Sequence, residues 1–329
     1  MTRILKIGTR GSPLALAQAE ETKARLIAQA GLEPAQLAIT VIKTTGDRIL
    51  DVALKTAGGK GLFTKEIEVA LATGEIDLAV HSMKDVPTAD PAGLTIAAIL
   101  PREDPRDAFM SLRYDSIASL PQGARVGTAS LRRTAQLKRL RPDLEIVLLR
   151  GTVGTRMAKL EAGEMDATLL AAAGLARLGH ADAARGLIDP QLMLPAVAQG
   201  AIGIQVRADD DELNRFVRTL NCQESAQRVS AERAFLAGMD GNCETPIAAL
   251  AHIANGQLEL HTEVLLPDGN DAQAAHASGP CTTPAEIGAA AADQILQHAD
   301  PAFLAALRTA MGSHTPAISQ APTGSSDGT

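Results

Sequence analysis

Basic, hydroxyl and carboxylate side chains recur in this 329-residue chain directly after short apolar segments that are typical of strands. These segments are residues 4–8, 76–81, 124–127 and 146–149, and the side chains are Arg10, Ser12, Ser82, Lys84, Asp85, Thr128, Ser130, Arg132, Arg133, Arg150 and Arg156. Several of them stand at predicted helix starts, where free backbone N–H groups attract anions. Guanidinium groups also pair with carboxylates and phosphates in a bidentate manner. The pattern therefore predicts a site for a polycarboxylate or phosphate ligand.

The charge of the chain is distributed unevenly. The whole chain carries a net charge of −7, yet residues 124–160 hold nine basic and two acidic residues, a local charge of +7. An acidic protein that concentrates arginine in one segment is expected to bind an anion there. A solvated helix face is the alternative, and it fits Lys138, Arg139 and Arg141 better than the others.

The sequence predicts alternating strands and helices, and these elements position the residues named above. Ser12 and Pro13 predict the start of a helix that ends at Gly31. The other predicted elements of this part are strands 38–43, 76–81 and 94–100 and helix 64–73, followed after residues 101–105 by strands 124–127, 146–149 and 167–171 and helices 130–140 and 153–161. Such alternation predicts largely parallel sheets covered by helices. Strand 201–206 is expected to return to the first sheet.

The predicted fold class is α/β, with two periplasmic-binding-protein-like lobes around a hinged cleft and a small C-terminal α+β domain. Ligands of open α/β sheets bind at the carboxyl ends of the strands, which here face the cleft. The predicted domains are residues 1–100 with 200–219, residues 105–195, and residues 221–311, followed by a disordered tail at 312–329 that is rich in Ser, Thr, Pro and Gly.

Composition and motifs argue against several classes of protein. No apolar run approaches 18 residues and the N-terminus has no apolar signal-peptide core, so a cytoplasmic protein without a membrane span is expected. The three cysteines lack the spacing of a disulfide framework or a zinc site, and no histidine pair has helical metal spacing, so no metal is expected. The glycine runs at 58–61 and 151–154 fit neither a phosphate loop nor an RNA-binding loop in this context.

Six motifs, in order along the chain, resemble the porphobilinogen deaminase family. They are GKGLF at 59–63, VHSMKDVP at 80–87, EDPRDA at 103–108, GTASLRR at 127–133, LRGTVGTR at 149–156 and LPAVAQG at 194–200. The resemblance extends from residue 4 to about residue 247. The chain departs from the family pattern at Gly11, Thr152 and Asn242, where the family commonly has Gln, Asn and Gly.

The resemblance implies a transferase that condenses four porphobilinogen molecules head to tail, releases ammonia, and yields a linear tetrapyrrole, hydroxymethylbilane, for porphyrin and heme biosynthesis. It also implies a dipyrromethane cofactor held by a thioether to Cys243, within GNCETPI at 241–247. Loss of ammonia leaves a cationic pyrrole, which a carboxylate beside the ring nitrogen can stabilise. Asp85 is the predicted catalytic residue.

The remaining site residues follow from the same resemblance. Together with Cys243, the predicted cofactor-binding residues are Ser82, Lys84, Thr128, Ser130, Arg132, Arg133 and Arg150. The predicted substrate-binding residues are Arg10, Ser12, Arg156 and Arg177, of which Arg177 could equally be an exposed helix residue. The family also suggests a monomer.

Two other classes remain open at this stage. A non-catalytic, two-lobed polyanion-binding protein would keep the arginines but would need neither Cys243 nor Asp85. An RNA-binding module would use the basic segment, but the chain has no Trp, one Tyr and five Phe, too few for a base-stacking surface. We therefore expect no nucleic-acid partner.

Overall fold

The first helix begins and ends where its capping residues predict. The computed structural model describes residues 4–45, 63–242 and 245–311; Cys243, the glycine run at 58–61 and the tail at 312–329 lie outside them. The Ser12 hydroxyl accepts a hydrogen bond from the Ala15 backbone N–H at 3.3 Å, and helix α1 (Pro13–Ala30) follows. Gly31 ends it with a φ of 69°, a left-handed conformation that glycine adopts without steric cost.

Helix α1 packs against the first of two five-stranded sheets. The strand order of this sheet is β2 (Leu37–Val41), β1 (Leu5–Thr9), β3 (Leu78–Ser82), β10 (Ile202–Arg207) and β4 (Leu94–Ile99). Strand β1 is parallel to β2 and β3, whereas β10 is antiparallel to both β3 and β4. Helices α2 (Lys65–Ala72) and α6 (Asp211–Arg218) complete the lobe.

The second sheet repeats this plan. Its strand order is β7 (Glu145–Val147), β6 (Arg125–Gly127), β8 (Ala167–Ala171), β5 (Asp107–Met110) and β9 (Gly186–Leu187). Strand β6 is parallel to β7 and β8, and β5 is antiparallel to β8 and β9. Its helices are α3 (Leu131–Leu140), α4 (Val153–Glu161) and α5 (Ala172–Arg177).

The α/β fold class is confirmed, and in each sheet four of the five strands run in the same direction while one is antiparallel. The antiparallel strands are β5 and β10, and these are the strands that the chain enters just after it crosses from one lobe to the other. A strand reached by such a crossover has no preceding helix in its own lobe to reverse the chain direction. The helix and strand periodicities could not reveal this orientation.

The C-terminal part is an antiparallel sheet covered by helices. Strands β11 (Ile247–Ala254), β12 (Gln257–Leu265) and β13 (Ala272–Pro280) form it, together with helices α7 (Gln223–Gly238), α8 (Pro284–His298) and α9 (Pro301–Met311). Helix α8 approaches α7 so closely that a Cβ at Gly288 would lie 2.2 Å from the Ala231 carbonyl oxygen. In the described part of the chain, no helix has the length and apolar character needed to cross a membrane.

A buried ion pair joins this C-terminal unit to both crossover segments. Arg102 donates to both carboxylate oxygens of Glu232, at 2.6 and 3.0 Å, and the two side chains are 1% and 0% exposed. The Arg102 Nε also donates to the Gln199 carbonyl oxygen at 2.9 Å. Glu232 accepts further bonds from the backbone N–H groups of Ala198 and Ala251. One carboxylate thus holds three segments together.

We predict that Glu232→Gln destabilises the protein by about 3–5 kcal/mol, because it leaves the Arg102 charge buried without a counter-charge. Urea unfolding monitored by circular dichroism measures this. The control is Glu224→Gln, at the exposed end of a 3.6 Å pair with Arg228, for which we expect a change within about 0.5 kcal/mol. A Glu232→Gln variant as stable as the control would show that the pair contributes nothing.

Candidate active site

The turn after β3 carries Ser82, Lys84 and Asp85. It is a single 3-10 turn, Met83–Asp85, whose Met83 side chain is buried in the core shared with the C-terminal helices. Ser82 exchanges hydrogen bonds with the Gln18 side-chain amide of α1, at 2.9 and 3.1 Å. Asp85 is half-buried. The backbone of Asp85 is therefore held in place by the packing of Met83 beneath the turn and by the hydrogen bonds of Ser82 beside it.

Arg233 of α7 fixes the chain immediately after Asp85. Its guanidinium donates to the carbonyl oxygens of Val86 and Pro87 at 3.0 and 2.7 Å. Val86 itself packs into the same core as Met83. No sequence pattern indicates this role of Arg233, because it depends on how the C-terminal helices pack against the first lobe.

On the second lobe, Thr128 and Ser130 form the start of α3. The Thr128 hydroxyl accepts from the Ser130 backbone N–H at 3.1 Å, and the Ser130 hydroxyl accepts from the Arg133 backbone N–H at 3.4 Å. Ser130 is thus the N-cap of α3, which begins one residue after the predicted start at residue 130. Within the described part of the chain both hydroxyls act as acceptors, so each O–H can donate to a ligand at this helix start.

Arg132 and Arg133 share one buried carboxylate, Asp107 at the start of β5. Each guanidinium lies 2.8 Å from a different Asp107 oxygen. Burial alone would raise the pKa of the Asp107 carboxyl, but the two guanidinium groups lower it well below its usual range. Asp107 therefore stays ionised and holds both arginines in place. Sequence reasoning missed Asp107, although it lies within the EDPRDA motif.

Electrostatic interactions connect the two lobes across the cleft. Burial lowers the pKa of Arg156 to about 10, helped by the positive charges of Arg133 and Arg150 and opposed by Asp85. Burial also lowers the pKa of Lys84, and the Asp85 and Asp107 carboxylates oppose that effect. Asp85 of the first lobe therefore faces a group of cations, most of which belong to the second.

Three arginine nitrogens in this cluster have unused hydrogen-bonding capacity. The Nε atoms of Arg132, Arg133 and Arg150 are buried and find no hydrogen-bond partner among the residues that the structure describes. The Nε of Arg156 donates to the Gly151 carbonyl oxygen at 2.9 Å. Five cations, with Lys84 included, thus surround two carboxylates. This excess of positive charge and free donors suits a ligand with several carboxylates.

The other predicted site residues have different surroundings. The Arg10 guanidinium stacks on the Phe63 ring, 4.2 Å from its centroid, and the Ser12 hydroxyl caps α1. The Arg177 side chain is only 9% exposed and bridges the lobes, with its Nε 3.3 Å from Glu21 and its Nη2 3.0 Å from the Gly200 carbonyl oxygen. Arg177 is therefore not an exposed helix residue.

Comparison with known proteins decides the family. A family model described as "Porphobilinogen deaminase, dipyromethane cofactor binding domain" matches residues 5–215, and the model of the C-terminal domain matches residues 226–297. The chain belongs to the porphobilinogen deaminase family. The resemblance stated from the six motifs is confirmed.

Individual relatives cover nearly the whole chain. The porphobilinogen deaminase of Paracoccus denitrificans is 54% identical over 91% of this chain and 96% of its own length. That of Nitrobacter hamburgensis is 49% identical over 90% and 94%. Among solved structures, a periplasmic substrate-binding protein of an ABC transporter from Coxiella burnetii aligns with 66% of this chain and 92% of its own, at 15% identity and a TM-score of 0.43.

The cleft fits the cofactor of this family. Each pyrrole ring of a dipyrromethane carries an acetate and a propionate, so the group brings four negative charges. The cluster offers buried arginine donors that have no partner among the described residues, and an excess of cations over carboxylates. Arg132 and Arg133 are also held rigidly by Asp107, which lowers the entropic cost of binding.

Proposed function

We propose that this chain catalyses the stepwise condensation of four porphobilinogen molecules and releases ammonia and hydroxymethylbilane. The observation that carries this proposal is one half-buried carboxylate, Asp85, whose charge acts on Lys84 of its own lobe and on Arg156 of the other. A dipyrromethane on Cys243 would supply the free α-carbon from which the chain grows. A binding protein for polyanions needs the arginines but has no use for the carboxylate.

In this proposal Asp85 stabilises the positive charge that develops on the pyrrole nitrogen. When porphobilinogen loses ammonia, its ring becomes cationic, and a carboxylate beside the ring N–H stabilises that cation. The same carboxylate then accepts the α-proton that the attacking ring of the growing chain loses when that ring regains aromaticity. The packing of Met83 and the bonds from Arg233 hold Asp85 in place, so little reorganisation is needed during the reaction.

In this proposal, different side chains bind the carboxylates of the cofactor and those of the incoming substrate. Ser82, Lys84, Thr128, Ser130, Arg132, Arg133 and Arg150 are proposed to hold the cofactor, and Arg10, Ser12, Arg156 and Arg177 the incoming substrate. Asp107 makes Arg132 and Arg133 a fixed pair. The Ser12 hydroxyl and the Arg177 guanidinium already have protein partners, so each would reach substrate only by exchanging or sharing those bonds.

The reaction itself tests the proposal. Native mass spectrometry of the purified chain, mixed with porphobilinogen, should show a ladder of species that increase by one deaminated pyrrole unit at each step. A linear tetrapyrrole should then appear in solution. Reversible binding of intact porphobilinogen, with no ladder and no ammonia, would instead identify a polyanion-binding protein.

Arginines with and without a carboxylate partner should respond differently to charge removal. We predict that Arg156→Gln stalls the ladder at an intermediate length without loss of stability, because no carboxylate depends on this guanidinium for pairing within the described structure. Arg133→Gln should also lower the free energy of unfolding, by about 3 kcal/mol or more, since it removes one of the two partners of buried Asp107. Urea unfolding beside native mass spectrometry separates these effects, and identical behaviour of both variants would contradict the prediction.

The proposal includes three domains, residues 1–100 with 200–219, 105–195 and 221–311. Motion of the first two about the crossovers would make room for the growing chain. One chain supplies Asp85 and the arginines of both lobes, so the enzyme is proposed to act as a monomer. We place it in the cytoplasm.

A further inference from the structure

Two histidines and a glutamate converge on the outer face of the C-terminal sheet. One imidazole nitrogen from each of His261 and His276 and one carboxylate oxygen of Glu259 lie within 4.8 Å of one another. All three residues are exposed. None of them belongs to the cleft residues described above, and the reaction assigns them no role.

The strand register produces this cluster. His261 of β12 lies directly opposite His276 of β13, and their ring centroids are 4.6 Å apart at an interplanar angle of 34°. Glu259 is two residues before His261 on the same strand and therefore points to the same face. The histidines are 15 positions apart along the chain, a spacing that gives no metal signal in the sequence. Only the pairing of β12 with β13 brings the two histidines together.

The donor set suits a borderline divalent transition metal. Zn²⁺ takes imidazole nitrogen at about 2.0–2.1 Å and carboxylate oxygen at about 2.0–2.2 Å, in tetrahedral geometry. Ligand atoms of such a site are about 3.3 Å apart, a value that follows from those bond lengths. The three atoms here need to approach by at most about 1.5 Å, roughly what side-chain rotation of exposed residues provides. Hard cations such as Mg²⁺ prefer all-oxygen sites and suit this set poorly.

The surroundings leave space for an ion and a fourth ligand. Neighbours on the same face of β13 are Ala274 and Ser278, both exposed and small. His252 of β11 lies opposite Glu259 on its other side and is also exposed. Water, or His252 after a rotamer change, can therefore complete the coordination.

We propose that Glu259, His261 and His276 form a binding site for Zn²⁺ or a similar transition-metal ion, separate from the catalytic cleft. An ion bound here links β12 to β13 and so stabilises the sheet of the C-terminal domain. The site takes no part in the condensation of pyrroles.

The test is Zn²⁺ binding to the chelator-treated holoenzyme, purified without a histidine tag. Competition with a chromophoric zinc chelator should give one ion per chain. His261→Gln and His276→Gln should each weaken the affinity at least about ten-fold, since even the loss of a supporting outer-shell contact costs 10–100-fold. The matched control is His180→Gln, an exposed histidine outside the cluster, and it should bind as the wild type does.

Thermal unfolding provides a second readout. Because the three ligands meet only in the folded sheet, Zn²⁺ should raise the Tm of the wild type and of His180→Gln. It should not raise the Tm of a variant that lacks both His261 and His276. Turnover of porphobilinogen without added metal should be the same in all variants, which shows that they are folded. A wild type that binds no Zn²⁺, or a double variant that still binds it as tightly, would overturn the proposal.

Discussion

Cys243→Ser should yield a protein whose denatured mass equals that of its sequence and whose activity is lost. The wild type should instead weigh more than its 34.2 kDa chain by two condensed pyrrole units. A thioether does not depend on the fold, so the excess mass should survive denaturation. A reductant should not release it, because there is no disulfide to exchange. Intact mass spectrometry of the denatured protein and a porphobilinogen assay measure both effects.

The other two cysteines provide matched controls. The Cys222 sulfur accepts a hydrogen bond from the Ser225 hydroxyl at 3.2 Å, and Cys281 packs against the C-terminal core. Both thiols are partly buried and have structural surroundings. Cys222→Ser and Cys281→Ser should therefore keep both the excess mass and the activity. An active wild type without an adduct would overturn the assignment of Cys243.

Hydrogen bonds join the described residues on either side of positions 243 and 244. The Asn242 backbone N–H donates to the Thr245 hydroxyl at 3.1 Å, and the Thr245 backbone N–H donates to the Asn242 carbonyl oxygen at 3.1 Å. In the described part of the chain, the non-glycine residues with left-handed backbone are Ala198, Asp240 and Asn255. Asn242 therefore does not need the conformational freedom of the glycine that the family commonly has there.

Local signals predicted the elements that carry the site. Helix 153–161 and strand 167–171 were predicted with the bounds they have, and Ser12 and Gly31 cap the first helix as expected. These elements depend on short-range periodicity and capping, which are visible in the sequence. Strand β5 was not predicted, because its four residues, Asp107–Met110, are all buried and show no alternation.

Other features that sequence reasoning missed depend on contacts between distant segments. Asp107 anchors Arg132 and Arg133 from 25 and 26 residues away. Glu263 of β12 accepts from Gln136 and Arg139 of α3, at 2.9 and 2.7 Å. Arg139 is 51% exposed, as a solvated helix face requires, and it also contacts the C-terminal sheet. Charge patterning showed that cations concentrate here, but only the fold assigns each cation its partner.

Asp85 and Asp107 are the two carboxylates of the cleft, and their substitution should separate catalysis from stability. Asp107 has two guanidinium partners and a bond from the Gln199 amide at 2.8 Å. Asp107→Asn leaves two buried cations without a counter-charge, so the free energy of unfolding should fall by about 3–5 kcal/mol. Asp85 is half-buried and has no such set of partners among the described residues.

Asp85→Asn should therefore leave the melting temperature and the cofactor mass unchanged while turnover falls by about 10²–10⁴-fold, the usual contribution of a positioned acid–base group. The amide has nearly the same shape, but it carries no charge to stabilise the cationic pyrrole and cannot accept its proton. Asp90→Asn, at an exposed position five residues later, is the control and should keep wild-type turnover. Single-turnover kinetics, with thermal unfolding beside them, test the prediction. If Asp85→Asn lowered stability more than rate, Asp85 would be a structural residue of the turn before Pro87, and the mechanism would need another carboxylate.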